Sequence, residues 1–207
     1  MIALRAVRLT VPLAMLLAMS AAVLFATAAQ AAVVSTLPGG TWSVLASTTD
    51  GGTAAIVSGP DNPPAGDGSL KLAVASAADR ALVGSDLGKL TARSWGDLSA
   101  SFSTHVPADS PPSFAPSLRF AGFQMLVPNP VGFTTLSIEA SRNGTVTPGT
   151  WQRWELGPAT IVWQSNAGDG GFCIQSDPCT FAEFVARYPA GGWGEAQLGL
   201  GSGVAGP

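Results

Sequence analysis

The chain has 207 residues and a formal net charge of −3; 46% of its residues are hydrophobic and only 11% are charged. This length suits one domain with a targeting segment, and the hydrophobic content excludes an intrinsically disordered chain. The excess of acidic over basic side chains, 13 against 10, excludes a strongly basic nucleic-acid-binding protein. One His and two Cys leave too few ligands for a metal site of imidazoles and thiolates.

Residues 1–31 have the pattern of a secretory signal peptide. Arg5 and Arg8 precede an apolar run over residues 9–29, and Ala29-Gln30-Ala31 matches the small-x-small pattern of a cleavage site. We expect cleavage after Ala31 and a secreted domain over residues 32–207. The alternative is an uncleaved membrane anchor, but no basic cluster follows the run. Cleavage lowers the net charge from −3 to −5, so we expect no binding of nucleic acid or membrane by charge.

The two cysteines, Cys173 and Cys179, fit an exported protein. Outside the cytosol, two thiols this close along the chain usually oxidise to each other, so we predict a structural disulfide. A metal site would need more ligands nearby. A catalytic thiol would need a basic partner, and His105 is the only histidine.

Alternation of apolar and polar residues predicts an all-β domain. The predicted strands are 42–45, 54–57, 69–74, 98–106, 117–126, 133–141, 151–156 and 196–200. Residues 117–126 are apolar on both faces, so we expect a central strand there. In 133–141, Leu136 and Ile138 are predicted to face inward, with Glu139 outward. Turn residues lie between the strands, and Asn143-Gly144 predicts a hairpin turn.

One short helix is predicted near the C-terminus. Thr180 and Glu183 form a capping box, an apolar stripe follows, and Pro189 lies just beyond the end of the helix. Strands at this spacing, with one helix, predict a two-sheet β-sandwich of jelly-roll type.

Several segments resemble a largely uncharacterised family of exported bacterial jelly-roll domains. Gly66–Leu72 resembles the G-x-G-S-L-x-L opening of that family, and Asn143–Trp154 resembles its N-G-x-V-x-x-G-x-W-Q-x-W turn and strand. The segments 98–106, 180–189 and 198–203 resemble a core strand, the helix and a glycine-rich strand. The resemblance implies a fold like that of lectin-like and carbohydrate-binding sandwiches. In that family the stretch corresponding to residues 201–207 leads into a further strand, so we expect this sequence to lack a C-terminal strand and to have an unpaired edge.

Side-chain alternation places several polar residues on one outward face. The candidate ligand-binding residues are His105, Arg119, Glu139, Trp151, Arg153 and Glu155. Sugars bind where an aromatic ring stacks on their C–H face and polar side chains bind adjacent hydroxyls. We therefore hypothesise a non-catalytic recognition domain for polysaccharide or cell-surface glycan, with Trp151 as the stacking platform. The alternative is a solvated sheet face with cross-strand ion pairs.

Two other functions remain open. A glycan-active enzyme could use Glu139 and Glu155 as acid and base, or His105 with Arg119 as a lyase, but neither carboxylate lies in a recognisable active-site motif. A structural surface protein without a small ligand needs no special residues. No cofactor is expected. Asp61, Asp67 and Asp169 could bind a structural calcium ion, although such residues are also typical of turns.

Overall fold

The computed structural model describes residues 36–46, 48–49, 51–76, 78–86, 93–125, 130–167 and 170–201, all in the unit Ala32–Pro207. The predicted signal peptide, Asp169 and residues 202–207 lie outside the described residues. Within these ranges the domain is all-β with few and short helices, as the sequence predicts. No helix in these ranges is long and apolar enough to cross a membrane.

The strands are β1 (Trp42–Val44), β2 (Gly52–Ser58), β3 (Gly68–Val74), β4 (Arg80–Asp86), β5 (Arg93–Ser94), β6 (Ser101–His105), β7 (Ser117–Met125), β8 (Pro130–Glu139), β9 (Trp151–Glu155), β10 (Ile161–Gln164), β11 (Cys179–Thr180) and β12 (Gly192–Gly201). The α-helices are α1 (Ala140–Asn143) and α2 (Phe181–Arg187). Every predicted strand is present within a few residues of its expected bounds, whereas β4, β5, β10, β11 and α1 were not predicted.

The strands form one large antiparallel sheet and two strand pairs. The large sheet has the order β1-β4-β12-β7-β8-β10-β11, and β5 also pairs with β12. Strand β7 lies between β12 and β8, so the strand predicted to be central is central. The pairs β2–β3 and β6–β9 are separate from the large sheet in hydrogen bonding.

The main core covers one face of the large sheet. Leu118 and Phe120 of β7 lie opposite Ile138 and Leu136 of β8 on this face. The predicted inward orientation of Leu136 and Ile138 is therefore confirmed. Phe102 of β6, Leu156 just after β9, and Phe181 and Phe184 of α2 pack against the same cluster. Full burial of side chains of this size stabilises a fold by about 1.5–3 kcal/mol each.

The helix α2 begins as predicted, at a capping box. Thr180 Oγ1 accepts a hydrogen bond from the Glu183 amide at 3.2 Å, and Glu183 Oε2 accepts one from the Thr180 amide at 2.8 Å. The Thr180 hydroxyl also donates to Glu183 Oε2 at 2.8 Å, and the two bonds that the carboxylate accepts, from the Thr180 amide and the Thr180 hydroxyl, lower the pKa of Glu183. The predicted disulfide between Cys173 and Cys179 is present and ends just before the helix.

The predicted hairpin turn at Asn143-Gly144 is wrong. Asn143 ends α1, and β9 pairs with β6 rather than returning along β8. The side-chain amide of Asn143 explains the difference, because it forms hydrogen bonds with backbone groups and does not form part of a hairpin turn. Its Nδ2 donates to the carbonyls of Glu139 and Ile161, each at 2.9 Å, and its Oδ1 accepts from the Ile161 amide at 2.7 Å.

Candidate functional site

The outer face of the β6–β9 pair carries four of the six predicted ligand-binding residues. Trp151 lies directly opposite His105, and Arg153 and Glu155 lie opposite serines of β6. Directly opposed residues of an antiparallel pair share a face, and residues two apart along a strand do too. The register therefore agrees with the predicted orientation of these four side chains.

Arg153 and Glu155 form an exposed ion pair. Arg153 Nε donates to Glu155 Oε1 at 2.9 Å, and the side chains are 64% and 69% exposed. An ion pair this exposed contributes only about 0–1 kcal/mol to stability. The two side chains can therefore exchange this contact for a ligand at little energetic cost.

Trp151 is less open than a stacking platform should be. The ring is half-buried and its Nε1 donates to the carbonyl of Pro60 in the β2–β3 turn at 3.0 Å. The neighbouring His105 ring lies 5.5 Å away, centroid to centroid, and its Nε2 lies 3.4 Å from Asp61 Oδ2. The β2–β3 turn thus covers part of this ring pair, and less aromatic area is free than the sequence predicts.

A cleft of about 590 Å³ lies beside β9. It is lined by Ile138, Glu139, Ala140, Asn143, Arg153, Trp154, Glu155, Ala159 and Thr160. We call it the β9 cleft. Three predicted ligand-binding residues, Glu139, Arg153 and Glu155, meet in it. Sequence reasoning missed Asn143, Trp154 and Thr160: it assigned Asn143 to a turn and Trp154 to the core, and nothing in the sequence singled out Thr160.

Glu139 does not face solvent as predicted. Its side chain is 2% exposed, and its Oε2 accepts a hydrogen bond from Arg142 Nε at 2.6 Å. The turn of α1 brings Arg142 back over the carboxylate, and Gln175 Nε2 of the disulfide loop lies 3.5 Å from Oε1. Glu139 is therefore held by an ion pair at the back of the cleft.

Arg119 is also buried rather than surface-exposed, at 6% exposure. It lies on the face of the large sheet opposite the main core, where its Nε donates to Ser137 Oγ at 3.3 Å. Burial, reinforced by the charge of Arg80, lowers the pKa of Arg119 to about 10, while Glu195 opposes this shift. Arg119 therefore does not belong to the exposed face that carries Arg153 and Glu155.

The lyase combination is not assembled. The contacts of His105 are with Trp151 and Asp61, whereas Arg119 contacts Ser137, so the two share no partner in the described part of the chain. Nor do three or more His, Cys, Asp or Glu residues cluster as metal ligands within the described ranges.

Comparisons of the chain with models of protein families, with curated proteins and with solved structures found no match.

Proposed function

We propose that the domain is a secreted, non-catalytic recognition module that binds carbohydrate at the β9 cleft. The observation that carries the proposal is an exposed Arg153–Glu155 pair on the lining of a 590 Å³ cleft that also contains Trp154. Clefts of this volume suit small ligands, and a few polar groups among apolar ones set the ligand's orientation. The signal-peptide pattern and the disulfide support export.

The polar groups of the cleft match the hydroxyls of a sugar. The Arg153 guanidinium presents planar donors and the Glu155 carboxylate presents acceptors, so the pair can bind neighbouring hydroxyls that each donate and accept. Because the pair is exposed, breaking it costs little. Thr160, whose Oγ1 donates to the carbonyl of Glu155 at 3.2 Å, holds the backbone of this wall.

Trp154 supplies a fixed aromatic wall. Its Nε1 donates to Thr104 Oγ1 at 2.8 Å, and its ring packs against a small cluster formed by Val106, Ala115, Ala140 and Val146. An indole held in this way loses little conformational entropy when a ligand packs against it. Trp151 lies four residues before Glu155 on β9, so the two side chains share a face of the strand. Trp151 therefore extends this surface beyond the cleft.

The ion pair of Glu139 favours binding over hydrolysis. Hydrolysis of a glycosidic bond uses two carboxyl groups, one of which must donate a proton. Oε2 of Glu139 already accepts a hydrogen bond from Arg142 Nε at 2.6 Å, and the side chain is only 2% exposed, so this carboxyl group is poorly placed to reach a glycosidic oxygen. The placement of Glu139 and Glu155 in one cleft nevertheless favours a glycoside hydrolase as the second candidate. Release of reducing sugar from a polysaccharide, lost in Glu155→Gln, would support that candidate.

The test is affinity electrophoresis of the secreted chain in gels containing a panel of soluble polysaccharides. We expect retardation by at least one, and a loss of about tenfold in affinity for Arg153→Ala and for Glu155→Ala, since each removes one or two hydrogen bonds to the ligand. Lys71→Ala, at an exposed position on β3, is the matched control and should bind as wild type. Failure to bind any member of a broad panel, or unchanged binding in both cleft variants, would overturn the proposal and leave a structural surface role.

A further inference from the structure

We propose that the β9 cleft selects a 6-deoxyhexose, a sugar with a methyl group where the parent hexose has a hydroxymethyl group. This selectivity rests on the proposed binding of carbohydrate in the same cleft and adds the class of sugar. The polar side chains that can exchange their contacts for a ligand lie on one wall of the cleft, whereas those of the opposite wall are already bonded within the protein.

The wall formed by β9 is the polar one. Arg153 and Glu155 lie on it with side chains that are 64% and 69% exposed, and the ion pair between them is weak because both groups are in solvent. The guanidinium presents donors and the carboxylate presents acceptors. The ring hydroxyls of a sugar therefore bind on this side of the cleft.

The opposite wall is formed by the end of β8, by α1 and by the loop before β10. Asn143 Nδ2 donates to two backbone carbonyls, and its Oδ1 accepts from a backbone amide. Thr160 Oγ1 accepts from the Gly157 amide at 2.8 Å and donates to the Glu155 carbonyl at 3.2 Å. Both side chains have therefore used their hydrogen-bond donors within the protein.

Glu139, the remaining polar side chain of this wall, also has its partners in the protein. Its Oε2 accepts from Arg142 Nε at 2.6 Å, and Gln175 Nε2 lies 3.5 Å from Oε1. The backbone of the wall is bonded as well, since the Thr160 carbonyl accepts from the Phe181 amide at 2.8 Å. A ligand hydroxyl turned toward this wall would therefore lose its hydrogen bonds to water without gaining new ones.

The rest of the lining is apolar. Ile138 and Ala140 are only 2% and 1% exposed and lie at the back of the cleft, while Ala159 is exposed. Trp154 also lines the cleft, with its ring fixed by the hydrogen bond to Thr104. A methyl group gains free energy by leaving water for such surroundings, whereas a hydroxyl group without a partner loses it.

An N-acetylated sugar fits the same wall less well. Its acetamido group has a methyl group but also an N–H and a carbonyl, and both of these need hydrogen-bond partners when they are buried. A 6-deoxyhexose places only a methyl group at this wall and keeps its ring hydroxyls for Arg153 and Glu155. One polar wall opposite one saturated wall therefore favours the 6-deoxy sugar.

The test is a titration of the secreted chain, followed by NMR, with two pairs of methyl glycosides. Each pair, methyl L-fucoside with methyl L-galactoside and methyl L-rhamnoside with methyl L-mannoside, differs only in the hydroxyl group at C6. We expect the 6-deoxy member of at least one pair to bind about tenfold more tightly, because the C6 hydroxyl has no partner at the apolar wall. Arg153→Ala should weaken both members of that pair alike, since it removes a contact to hydroxyls that they share.

The variant Ala159→Asn tests the apolar wall itself. An asparagine there adds a donor and an acceptor for the C6 hydroxyl, so the preference for the 6-deoxy member should fall by about threefold or more through tighter binding of the parent hexose. Ala108→Asn is the matched control, because Ala108 is also an exposed alanine that follows a proline in a turn but does not line the cleft. It should leave both affinities unchanged.

The outcomes separate this selectivity from the proposed function. Equal or tighter binding of the parent hexose, with weaker binding in Arg153→Ala, would overturn the selectivity and leave carbohydrate binding in the cleft intact. Binding of a polysaccharide in gels without binding of any of the four glycosides would do the same. A preference for the 6-deoxy sugar with affinities unchanged in both Arg153→Ala and Ala159→Asn would assign it to another surface. Binding of neither polysaccharide nor glycoside would overturn both proposals.

Discussion

Asn143 and Ile161 exchange two hydrogen bonds, from Asn143 Nδ2 to the Ile161 carbonyl at 2.9 Å and from the Ile161 amide to Asn143 Oδ1 at 2.7 Å. The side-chain amide of Asn143 thus takes the place of a neighbouring strand's backbone as the hydrogen-bond partner of Ile161, the first residue of β10. A third bond ties Asn143 to the carbonyl of Glu139. One side chain therefore joins the end of β8, α1 and β10 at the back of the β9 cleft.

Asn143→Ala should lower the free energy of unfolding by about 2–4 kcal/mol, since three hydrogen bonds are lost and partly buried backbone groups are left unpaired. Asn143→Asp should be at least as damaging, because a carboxylate would face two carbonyl oxygens. Urea unfolding measures both, and Ser141→Ala, at an exposed position on α1, is the control. A stability of Asn143→Ala equal to that of the control would contradict the role assigned to the amide.

Arg142→Ala should lower the free energy of unfolding by about 3–5 kcal/mol, because it removes the guanidinium that pairs with the Glu139 carboxylate, which is only 2% exposed. Adding Glu139→Gln should restore part of the loss, since a neutral amide is cheaper to bury. Arg153→Ala breaks a pair that is exposed on both sides and should cost less than about 1 kcal/mol. Equal losses for the two arginine variants would show that Glu139 is hydrated.

Lowering the pH should destabilise the helix α2. The hydrogen bonds from Thr180 lower the pKa of Glu183 below its ordinary value of 4.5, so the folded state favours the carboxylate. The stabilisation is therefore complete above pH 4.5 and is lost as the pH falls through the lowered pKa. Amide hydrogen exchange in α2 should rise over that range in wild type and change less in Glu183→Gln. Asp79, whose pKa is also lowered, by bonds from Ser76 and Thr49, lies outside α2, so Asp79→Asn should leave the rise unchanged.

Arg119→Met should raise the free energy of unfolding by about 1–3 kcal/mol, since it removes a buried charge from the sheet. The burial that lowers the pKa of Arg119 to about 10 destabilises the charged form in the folded state. That penalty is fully present below pH 10 and is relieved as the pH rises above the lowered value. Thermal unfolding at neutral pH, with Lys71→Met as the control, provides the measurement. A lower midpoint in Arg119→Met would mean that the guanidinium stabilises the sheet.

Much of the fold was predictable because its signals are local. Leu136 and Ile138 face the core because alternation along a single strand assigns their side, and the capping box needs only Thr180 and Glu183. Strands β4 and β10 were not predicted because the same local signal, side-chain alternation, is not visible in them. Consecutive apolar residues in β4 hide its alternation, and β10 is too short to show one.

The candidate site was predictable only in part. Alternation correctly placed Trp151, Arg153 and Glu155 together. The three residues lie on one strand, so they share a face regardless of how the strand packs in the fold. For Glu139 and Arg119, alternation indicated that the side chains face away from the main core. It did not indicate whether that face is exposed to solvent.

The sequence by itself determined the all-β class, the position of most strands, the start of α2 and the disulfide, since each depends on residues close together along the chain. Only the tertiary structure decided that Arg142 covers Glu139, that the β2–β3 turn covers Trp151, and that Gln197, Arg119, Ser137 and Trp163 form one row. These relationships depend on strand order and register, which join segments far apart in sequence. Side-chain alternation carries no information about such pairings.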